Sequence, residues 1–334
     1  MRNKDGSRVK HVFGPVPSRR LGQSLGIDPI PLKTCNWNCV YCQLGRTVPL
    51  TNERRDYFPT EEILHEIENV LESRANKGID WITFVGSGEP TLHSHLGKMI
   101  RRVKLMTSLP VAVITNGALL FLPEIRADLS SADAILPTLD AGKADLYRKI
   151  NRPHPEITFE RFVNGLIAFR SEYHGKLWVE IMLVRGLNDS KKSLEDIAKI
   201  LRNIKPNAIH INLPTRPPCE TWVQPPNREG LMRAISILGK SAEVVHPAQG
   251  SFELDEFGGL AEAIIGIITR HPMRQDELEL TLNRWSPEKV ETTLAELENS
   301  GKVQIVERYG TRFWSTVQAC YPTRLSSDRT IPKP

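Results

Sequence analysis

The sequence predicts an α/β fold with a mainly parallel sheet, followed by a smaller helical module at the C-terminal end. Between about residues 22 and 250, short apolar runs that are rich in β-branched residues alternate with amphipathic stretches of helical spacing. Six or so strand–helix units in a row form a parallel sheet, which is either open or curled into a barrel. After residue 257 the pattern changes to three short helices and a hairpin. With 334 residues, the chain is long enough for one large fold and one small module.

The predicted strands are apolar runs without clean alternation, as expected of parallel strands that are covered on both faces. They are residues 24–28, 81–85, 111–115, 134–139, 177–184 and 208–213, with 243–246 as an additional edge strand. The helical patterns between them lie at about 60–78, 94–107, 158–172, 190–203 and 227–239. Chemistry in such sheets collects at the carboxyl ends of the strands, so we expect the functional residues in the loops that follow them.

Residues 258–318 are predicted to form a winged-helix-like domain, with three helices and then two short strands about a Tyr-Gly turn. The helical patterns lie at about 259–269, 274–282 and 286–301. The sequence further suggests a basic leader at 1–21, a core domain at 22–250 and a tail at 319–334. In the third helix of the module, Glu288, Glu291, Glu296 and Glu298 stand against Lys289 alone. Acidic side chains repel phosphates, and this argues against DNA as its partner.

The composition excludes several classes of protein. Charged residues are 25% and hydrophobic residues 40%, which is typical of a globular chain, and the net charge of +5 is mild for this length. The longest apolar stretches fall far short of the roughly 20 residues that cross a membrane, and the polar N-terminus is no secretory signal. Three of five cysteines lie within eight residues, which argues against a disulfide framework and for a reducing, cytoplasmic location.

Three cysteines form a compact segment just after the first predicted strand. Cys35, Cys39 and Cys42 have the spacing C-x3-C-x2-C. Soft thiolates on one short loop suit zinc or an iron–sulfur cluster, and each of these takes four ligands. The remaining cysteines, Cys219 and Cys320, are isolated in the sequence. Three cysteines would leave one iron of a [4Fe–4S] cluster open for a small molecule, whereas zinc or plain buried thiols remain the alternative.

This segment, with Tyr41 just before its last cysteine, resembles the radical S-adenosylmethionine (SAM) superfamily. In that family three cysteines hold a [4Fe–4S] cluster, and the amino and carboxylate groups of SAM chelate the fourth iron. A second segment, Gly86–Pro90, follows the second predicted strand and resembles the Gly-Gly-Glu-Pro motif of the family, with Ser87 replacing its first glycine. Gly88 permits close backbone approach, and the Glu89 carboxylate suits the ammonium group of SAM. The alternative is an ordinary turn with a solvated Glu89.

The resemblance implies further contacts with SAM at the ends of the later strands. By analogy with family members, Tyr41 packs near the adenine, Asn116 lies near SAM or substrate, Thr138 meets the ribose, and Asn188 contacts SAM. The alternative for each is a cap or turn residue. The family also implies a partial (βα)6 radical-SAM barrel, reductive cleavage of SAM to a 5′-deoxyadenosyl radical, and an electron donor of flavodoxin or ferredoxin type. No catalytic side chain is identified at this level.

Four shorter segments resemble one subgroup, the iron–sulfur oxidoreductases related to tRNA wyosine (imidazoguanosine) synthase. They are Gly14–Gly22, Leu25–Asp28, Cys39–Gly45 and Asn151–His154. Those synthases carry a second cluster on three additional upstream cysteines, but no cysteine precedes Cys35 here. The wyosine reaction itself is therefore not expected, because kinship of fold does not fix a substrate.

Three functions follow as hypotheses. The first is modification of tRNA by a radical SAM enzyme. The second is radical chemistry on a small molecule, peptide or protein, with the C-terminal module docking a protein. The third is an iron–sulfur sensor that uses the module on DNA. Of the histidines, His93 and His95 are candidates for proton donors or substrate contacts if they are not simply solvated, and His210 is a candidate to point into the lumen of a barrel.

Overall fold

An eight-stranded open sheet organises the larger part of the chain. The computed structural model describes residues 10–18, 20–74, 78–245, 259–283 and 285–322, and the structural statements below refer to these. The strands are β1 Val12–Ser18, β2 Gly22–Ile27, β3 Trp81–Phe84, β4 Val111–Thr115, β5 Ala134–Pro137, β6 Lys176–Met182, β7 Ala208–Asn212 and β8 Ala242–Val244, in that spatial order. β1 and β2 are antiparallel, and every later pair is parallel. No described strand joins β8 to β1, so this is the expected partial barrel, with an additional edge strand.

Within the described ranges, seven α-helices accompany the sheet and three belong to the C-terminal module. The first group is α1 Thr60–Arg74, α2 Leu96–Met106, α3 Pro123–Leu129, α4 Ala144–Ile150, α5 Phe159–Glu172, α6 Lys191–Ile204 and α7 Arg228–Leu238. The five longer ones match the predicted helices. The short helices α3 and α4 were not predicted, because seven residues are too few to establish a helical period.

β1 lies in the segment that the sequence analysis placed in the leader. Pro15 and Pro17 interrupt its pattern, and proline is excluded from central strands because it lacks a backbone donor. An edge strand tolerates proline, and β1 pairs with β2 alone, with a shift of register between Phe13 and Val16. Residues 1–9 of the predicted leader, His246 of the last predicted strand and residues 323–334 of the predicted tail lie outside the described part.

The two faces of the sheet pack against different cores. On β6, Leu177, Val179 and Ile181 are fully buried in the large core that the helices share. Trp178, which alternates with them, belongs to a second, smaller apolar cluster together with Leu136 of β5. Successive side chains of a strand point to opposite faces, so the second cluster fills the concave side. Two apolar faces explain why the strands show no alternation in the sequence.

The C-terminal module has a core of its own. It comprises α8 Leu260–Arg270, α9 Gln275–Thr281, α10 Pro287–Asn299, β9 Val303–Arg308 and β10 Thr311–Thr316. A bridge between Met273 and Trp314 attaches the chain between α8 and α9 to the β9–β10 hairpin. This is the order of elements expected for the winged-helix-like domain, an assignment that stays a prediction. The glutamates of α10 named above are all exposed.

No helix in the described ranges is both long enough and apolar enough to cross a membrane.

Candidate functional site

The three closely spaced cysteines lie on the loop between β2 and α1, at the carboxyl end of the sheet. Burial raises the pKa of Cys35 to about 12. Burial also raises the pKa of Cys39 well above its ordinary value, and the nearby thiols of Cys42 and Cys35 raise it further. The three sulfurs therefore interact with one another. A bound metal centre would reverse this situation, because its positive charge favours the thiolate.

Each of the three sulfurs faces a nitrogen donor from a different part of the fold. One donor is an ammonium group just before the loop, and the other two are side-chain amides that follow β4 and α4. The pairs are Lys33 Nζ to Cys42 Sγ at 3.1 Å, Asn116 Nδ2 to Cys35 Sγ at 3.8 Å, and Asn151 Nδ2 to Cys39 Sγ at 3.8 Å. Burial lowers the pKa of Lys33, but the thiols raise it more, so its ammonium form is favoured. This environment suits negatively charged sulfur.

Three thiols with a nitrogen donor beside each suit a thiolate-held cluster. Within the described ranges, no group of three His, Cys, Asp or Glu side chains is arranged to hold one metal ion. A cubane cluster takes one cysteine on each of several irons, so its ligands need not converge on one point. The two isolated cysteines nevertheless lie beside the loop. Burial raises the pKa of Cys219, as does nearby Cys42, and the Cys320 carbonyl accepts from the Arg46 amide at 2.7 Å. Metal analysis must therefore exclude a four-thiolate site.

The Gly86–Pro90 segment is fastened directly to the cysteine loop. The Lys33 amide donates to the Ser87 carbonyl at 2.7 Å, and the Glu89 amide donates to the Thr34 carbonyl at 2.9 Å. A Cβ on Gly88 would lie 1.9 Å from the Thr34 carbonyl oxygen, so only glycine fits. The close approach expected of Gly88 thus takes place against the backbone of the cysteine loop.

Glu89 is buried rather than solvated, so the alternative of a solvated turn residue is wrong. Its Oε1 accepts bonds from the Thr91 amide at 3.0 Å and from the hydroxyls of Thr91 and Thr115, each at 2.6 Å. Its Oε2 accepts the Asn116 amide at 2.7 Å. Burial raises the pKa of Glu89, and these bonds oppose the rise. The carboxylate therefore ties the end of β3 to the end of β4, and Oε2 keeps one lone pair for an ammonium group.

Ser87, which replaces a glycine of the family motif, is held by a buried aspartate. Asp28 accepts the Ser87 amide on Oδ1 at 3.1 Å and the Ser87 hydroxyl on Oδ2 at 2.7 Å. The serine side chain is therefore directed toward β2. Asp28 was part of a segment that resembles the subgroup, but nothing in the sequence indicated this contact.

On the other side of the cysteine loop, Asp140 plays a comparable part. Its Oδ2 accepts the Tyr41 hydroxyl at 2.6 Å and the Asn151 amide nitrogen at 2.7 Å, and its Oδ1 accepts the Met182 amide at 2.8 Å. Burial raises the pKa of Asp140 to about 6. Burial, together with Asp140, also raises the pKa of Tyr41 well above its ordinary value. Tyr41 is thus anchored beside the loop, and its contact with adenine stays a prediction.

The last two residues that the resemblance selects lie around the same aspartate. Asn188 donates to the carbonyls of Asp140 and Met182, both at 2.9 Å, and accepts the Val184 amide at 2.7 Å. Its amide is thus engaged by backbone on both sides, as the turn-residue alternative expects. Thr138 forms a bridge with Glu180 of β6 through the backbone. Contacts of Asn188 and Thr138 with SAM stay predictions.

A polar group lies on the concave face, which carries the inner apolar cluster. Arg20 Nη2 lies 2.8 Å from Glu180 Oε1, and Arg20 Nη1 donates to Asn212 Oδ1 at 3.2 Å. Glu180 is in register with His210, which shares the face of Trp178, so His210 faces the interior as expected. Burial lowers the pKa of His210 to about 4, and Arg20 contributes to this. Arg20 thus links the β1–β2 turn to the far strands across the interior of the open barrel.

His93 is not solvated. It is fully buried, and its Nε2 lies 3.0 Å from the Phe58 carbonyl oxygen and 3.1 Å from Asp56 Oδ1. Burial lowers its pKa. These contacts hold the chain that leads into α1, which indicates a structural role.

Comparisons with known proteins agree with this geometry. Residues 30–201 match the family model described as the radical SAM superfamily. The chain is 37% identical over 279 residues to a UPF0026 protein of Methanocaldococcus jannaschii, covering 81% of this chain and 86% of that protein. It is 40% identical over 306 residues to a protein named GTPase Obg of Brachyspira hyodysenteriae, covering 91% of this chain but spanning only 45% of the relative. A radical SAM methyltransferase from Sphaerobacter thermophilus has a similar fold, with a TM-score of 0.50 at 19% identity and coverage of 66% of each chain.

Proposed function

Because the chain belongs to the radical SAM superfamily, whose members use a [4Fe–4S] cluster and SAM, we propose that it is a radical SAM enzyme with Cys35, Cys39 and Cys42 as the cluster ligands. When bound, these cofactors supply one-electron cleavage of SAM to a 5′-deoxyadenosyl radical, which abstracts a hydrogen atom from the substrate. The protein supplies the ligands, orients SAM and keeps water from the reacting centre.

One observation carries the proposal. The cysteine loop and the Gly86–Pro90 segment are joined by two backbone hydrogen bonds, at the carboxyl ends of neighbouring parallel strands. Each sulfur in this arrangement has its own nitrogen donor. Cluster ligands and a SAM-binding turn must be adjacent for the sulfonium to reach the cluster, and here they share a backbone contact.

The test is anaerobic reconstitution of the full chain, with iron and sulfide counted and 5′-deoxyadenosine measured after reduction in the presence of SAM. We expect four irons and four sulfides per chain and SAM cleavage. Single Cys→Ala variants at positions 35, 39 and 42 should lose both, whereas Cys320→Ala should keep both. One tetrahedral zinc per chain, lost on substitution of Cys219, would contradict the proposal.

For the substrate we propose RNA, with tRNA as the first candidate. Beside the cysteine loop, Arg46 and Arg152 both pair with the single carboxylate of Glu220, at 3.2 Å and 2.5 Å. Two guanidinium groups on one carboxylate leave an excess of positive charge, and both arginines are more than one-third exposed. Guanidinium groups suit phosphate. The resemblance to the wyosine-related subgroup points in the same direction.

Binding of an unmodified tRNA transcript at several salt concentrations tests the substrate class. We expect affinity to fall steeply with salt, and Arg46→Ala to weaken binding and reduce the slope by about one. Lys191→Ala is the matched control, because Lys191 is exposed on α6 and, among the residues that the structure describes, forms an ion pair with Glu195 alone. Absent or salt-insensitive binding would favour a small molecule or peptide.

The remaining partners follow from the reaction. Reduction of the cluster needs an electron donor, which we propose to be a flavodoxin or ferredoxin in a reducing, cytoplasmic compartment. A DNA-binding sensor gains no support, because the glutamates of α10 are exposed where that helix would meet phosphates.

A further inference from the structure

We propose that the C-terminal module helps to position the SAM site, and that Arg270 is the positioning residue through which it does so. Arg270 ends α8 and contacts both loops of the site at once. Its side chain supports the turn that carries Ser87, and its carbonyl holds the residue that follows Cys42. The inference rests on the function proposed above, because it needs SAM to bind beside the Gly86–Pro90 segment.

The side-chain contact reaches the Ser87 turn through Asp28. Arg270 Nε lies 3.2 Å from Asp28 Oδ2, and the two side chains are only 16% and 5% exposed. The same carboxylate accepts both the amide and the hydroxyl of Ser87. A buried carboxylate is costly without a cation, and Arg270 provides that charge. Arg270 thereby places a positive charge against the carboxylate that fixes the turn.

The backbone contact reaches the cysteine loop. Gln43 Nε2 donates to the Arg270 carbonyl oxygen at 2.9 Å, and Gln43 directly follows Cys42. Two further contacts come from the residues that follow the module, where the Tyr321 hydroxyl donates to the Gln43 carbonyl and the Cys320 carbonyl accepts the Arg46 amide. The module and these following residues therefore contact the loop over residues 43–46.

The guanidinium group of Arg270 is fixed before any ligand arrives. It lies over the ring of Phe13, 4.5 Å from the centroid, and Nη2 donates to the Lys10 carbonyl at 3.1 Å. The Phe13 ring packs flat on β2 because Gly26 has no side chain, since a Cβ there would lie 2.2 Å from the ring. A planar, preorganised donor of this kind is not replaced in full by lysine.

Loss of the guanidinium should loosen the turn rather than remove a SAM contact. Without Arg270, the buried Asp28 carboxylate would face only the two neutral donors of Ser87, and its position would be less well fixed. Its bonds to Ser87 would then be weaker. The turn that is bonded to Lys33 and Thr34 would then be less well positioned for SAM, while the cysteines would keep their ligand geometry.

The test compares Arg270→Ala and Arg270→Lys with Arg274→Ala in the reconstituted full chain. Arg274 is a matched control, because it lies in the same module and is 43% exposed, and its ion pairs within the described part of the chain are with neighbouring acids of α9. SAM affinity is measured by anaerobic equilibrium dialysis, together with the change that SAM causes in the electron paramagnetic resonance spectrum of the reduced cluster. We expect about tenfold weaker SAM binding for Arg270→Ala, as is usual when an outer support of a site is removed. Arg270→Lys should recover part of the affinity, and Arg274→Ala should match the wild type.

A purely structural contact would behave differently. If Arg270→Ala lowered the melting temperature but left the SAM dissociation constant and the spectral change unaltered, the inference would be wrong. If Arg270→Ala failed to fold, Asp28→Asn would take its place. We expect that variant to lose SAM affinity to the same degree, and normal affinity would overturn the inference. Should the wild type load its cluster yet bind no SAM, the proposed function would itself fail, which is a separate result.

Discussion

Two buried carboxylates flank the cysteine loop, and each holds an asparagine that donates to a sulfur. On the β3–β4 side, Glu89 accepts the backbone amide of Asn116, whose side chain reaches Cys35. On the β5–β6 side, Asp140 accepts the side-chain amide of Asn151, which also reaches Cys39. Both carboxylates accept a hydrogen bond from an asparagine. Glu89 accepts it from the backbone amide, whereas Asp140 accepts it from the side-chain amide.

The difference indicates that Glu89 fixes the backbone of the site, whereas Asp140 orients side chains. Glu89 accepts four bonds that join the ends of two strands, so its loss should disturb the frame of the site. Both oxygens of Glu89 accept a backbone amide, which cannot reverse its role. Asp140 accepts fewer bonds and only its Oδ1 accepts a backbone amide, while one donor to its Oδ2 is the Tyr41 hydroxyl, which can also accept. The β5–β6 side can therefore adapt to a neutral partner, whereas the β3–β4 side cannot.

The largest effect is expected for Glu89→Gln. The new amide places a donor against the backbone amide of either Asn116 or Thr91, so at least one buried bond is lost and a donor is left unpaired. We expect the free energy of unfolding to fall by about 3 kcal/mol, because bonds to a buried carboxylate are stronger than average. Chemical denaturation of the cluster-free chain measures this, with the exposed Glu68→Gln as control. Equal stability of the two variants would show that Glu89 does not stabilise the connection between the ends of β3 and β4.

The raised pKa of Asp140 should make the free energy of unfolding depend on pH. Its pKa is raised to about 6 from an ordinary 3.8, so the folded chain binds this proton more tightly than the unfolded chain does. The resulting stabilisation is present in full below about pH 4 and is lost as the pH rises through 6. A difference of about two pKa units corresponds to about 3 kcal/mol.

The measurement is the free energy of unfolding of the wild type minus that of Asp140→Asn, from pH 4 to pH 8. The other acids titrate in both chains and cancel in the difference. We expect the difference to fall between pH 4 and 6 and to be flat above 7. A difference that stayed constant over the whole range would show that Asp140 is not protonated in the folded chain near pH 5.

The sequence could predict one side of this comparison better than the other. Glu89 lies in a local motif, and local order along the chain was enough to place it next to the cysteines. The sheet could be predicted equally well, because its strands are apolar runs of sufficient length. Both predictions depend on short local patterns and on the order of the strands along the chain.

The other contacts join residues that are far apart in the chain. Tyr41 and Asp140 are separated by 99 positions, and Arg270 and Asp28 by 242. A single sequence carries no record of such pairs, and each member has an unremarkable local setting. Lys33 likewise gave no signal, although its ammonium group lies 3.1 Å from a cysteine sulfur.

The smallest effect is expected at the sulfurs themselves, for Asn116→Ala and Asn151→Ala. Hydrogen bonds to cluster ligands raise the reduction potential, so each variant should lower the midpoint potential of the reconstituted cluster. A bond worth about 1 kcal/mol corresponds to about 40 mV for one electron. Redox titration followed by electron paramagnetic resonance measures the shift, and Lys33→Met should give a larger one because it also removes a charge.

Double variants that change an asparagine together with its carboxylate test whether the two sides of the loop work in the same way. Asp140 holds the amide of Asn151 directly, so Asp140→Asn should itself shift the potential, and adding Asn151→Ala should change it little further. Glu89 holds only the backbone of Asn116, whose amide is anchored separately by Asn36 at 2.7 Å. The effects of Glu89→Gln and of Asn116→Ala on the midpoint potential should therefore add. If the shifts in midpoint potential added on both sides, neither carboxylate would orient its asparagine donor. The two sides would then be alike only in where the carboxylate and the asparagine lie.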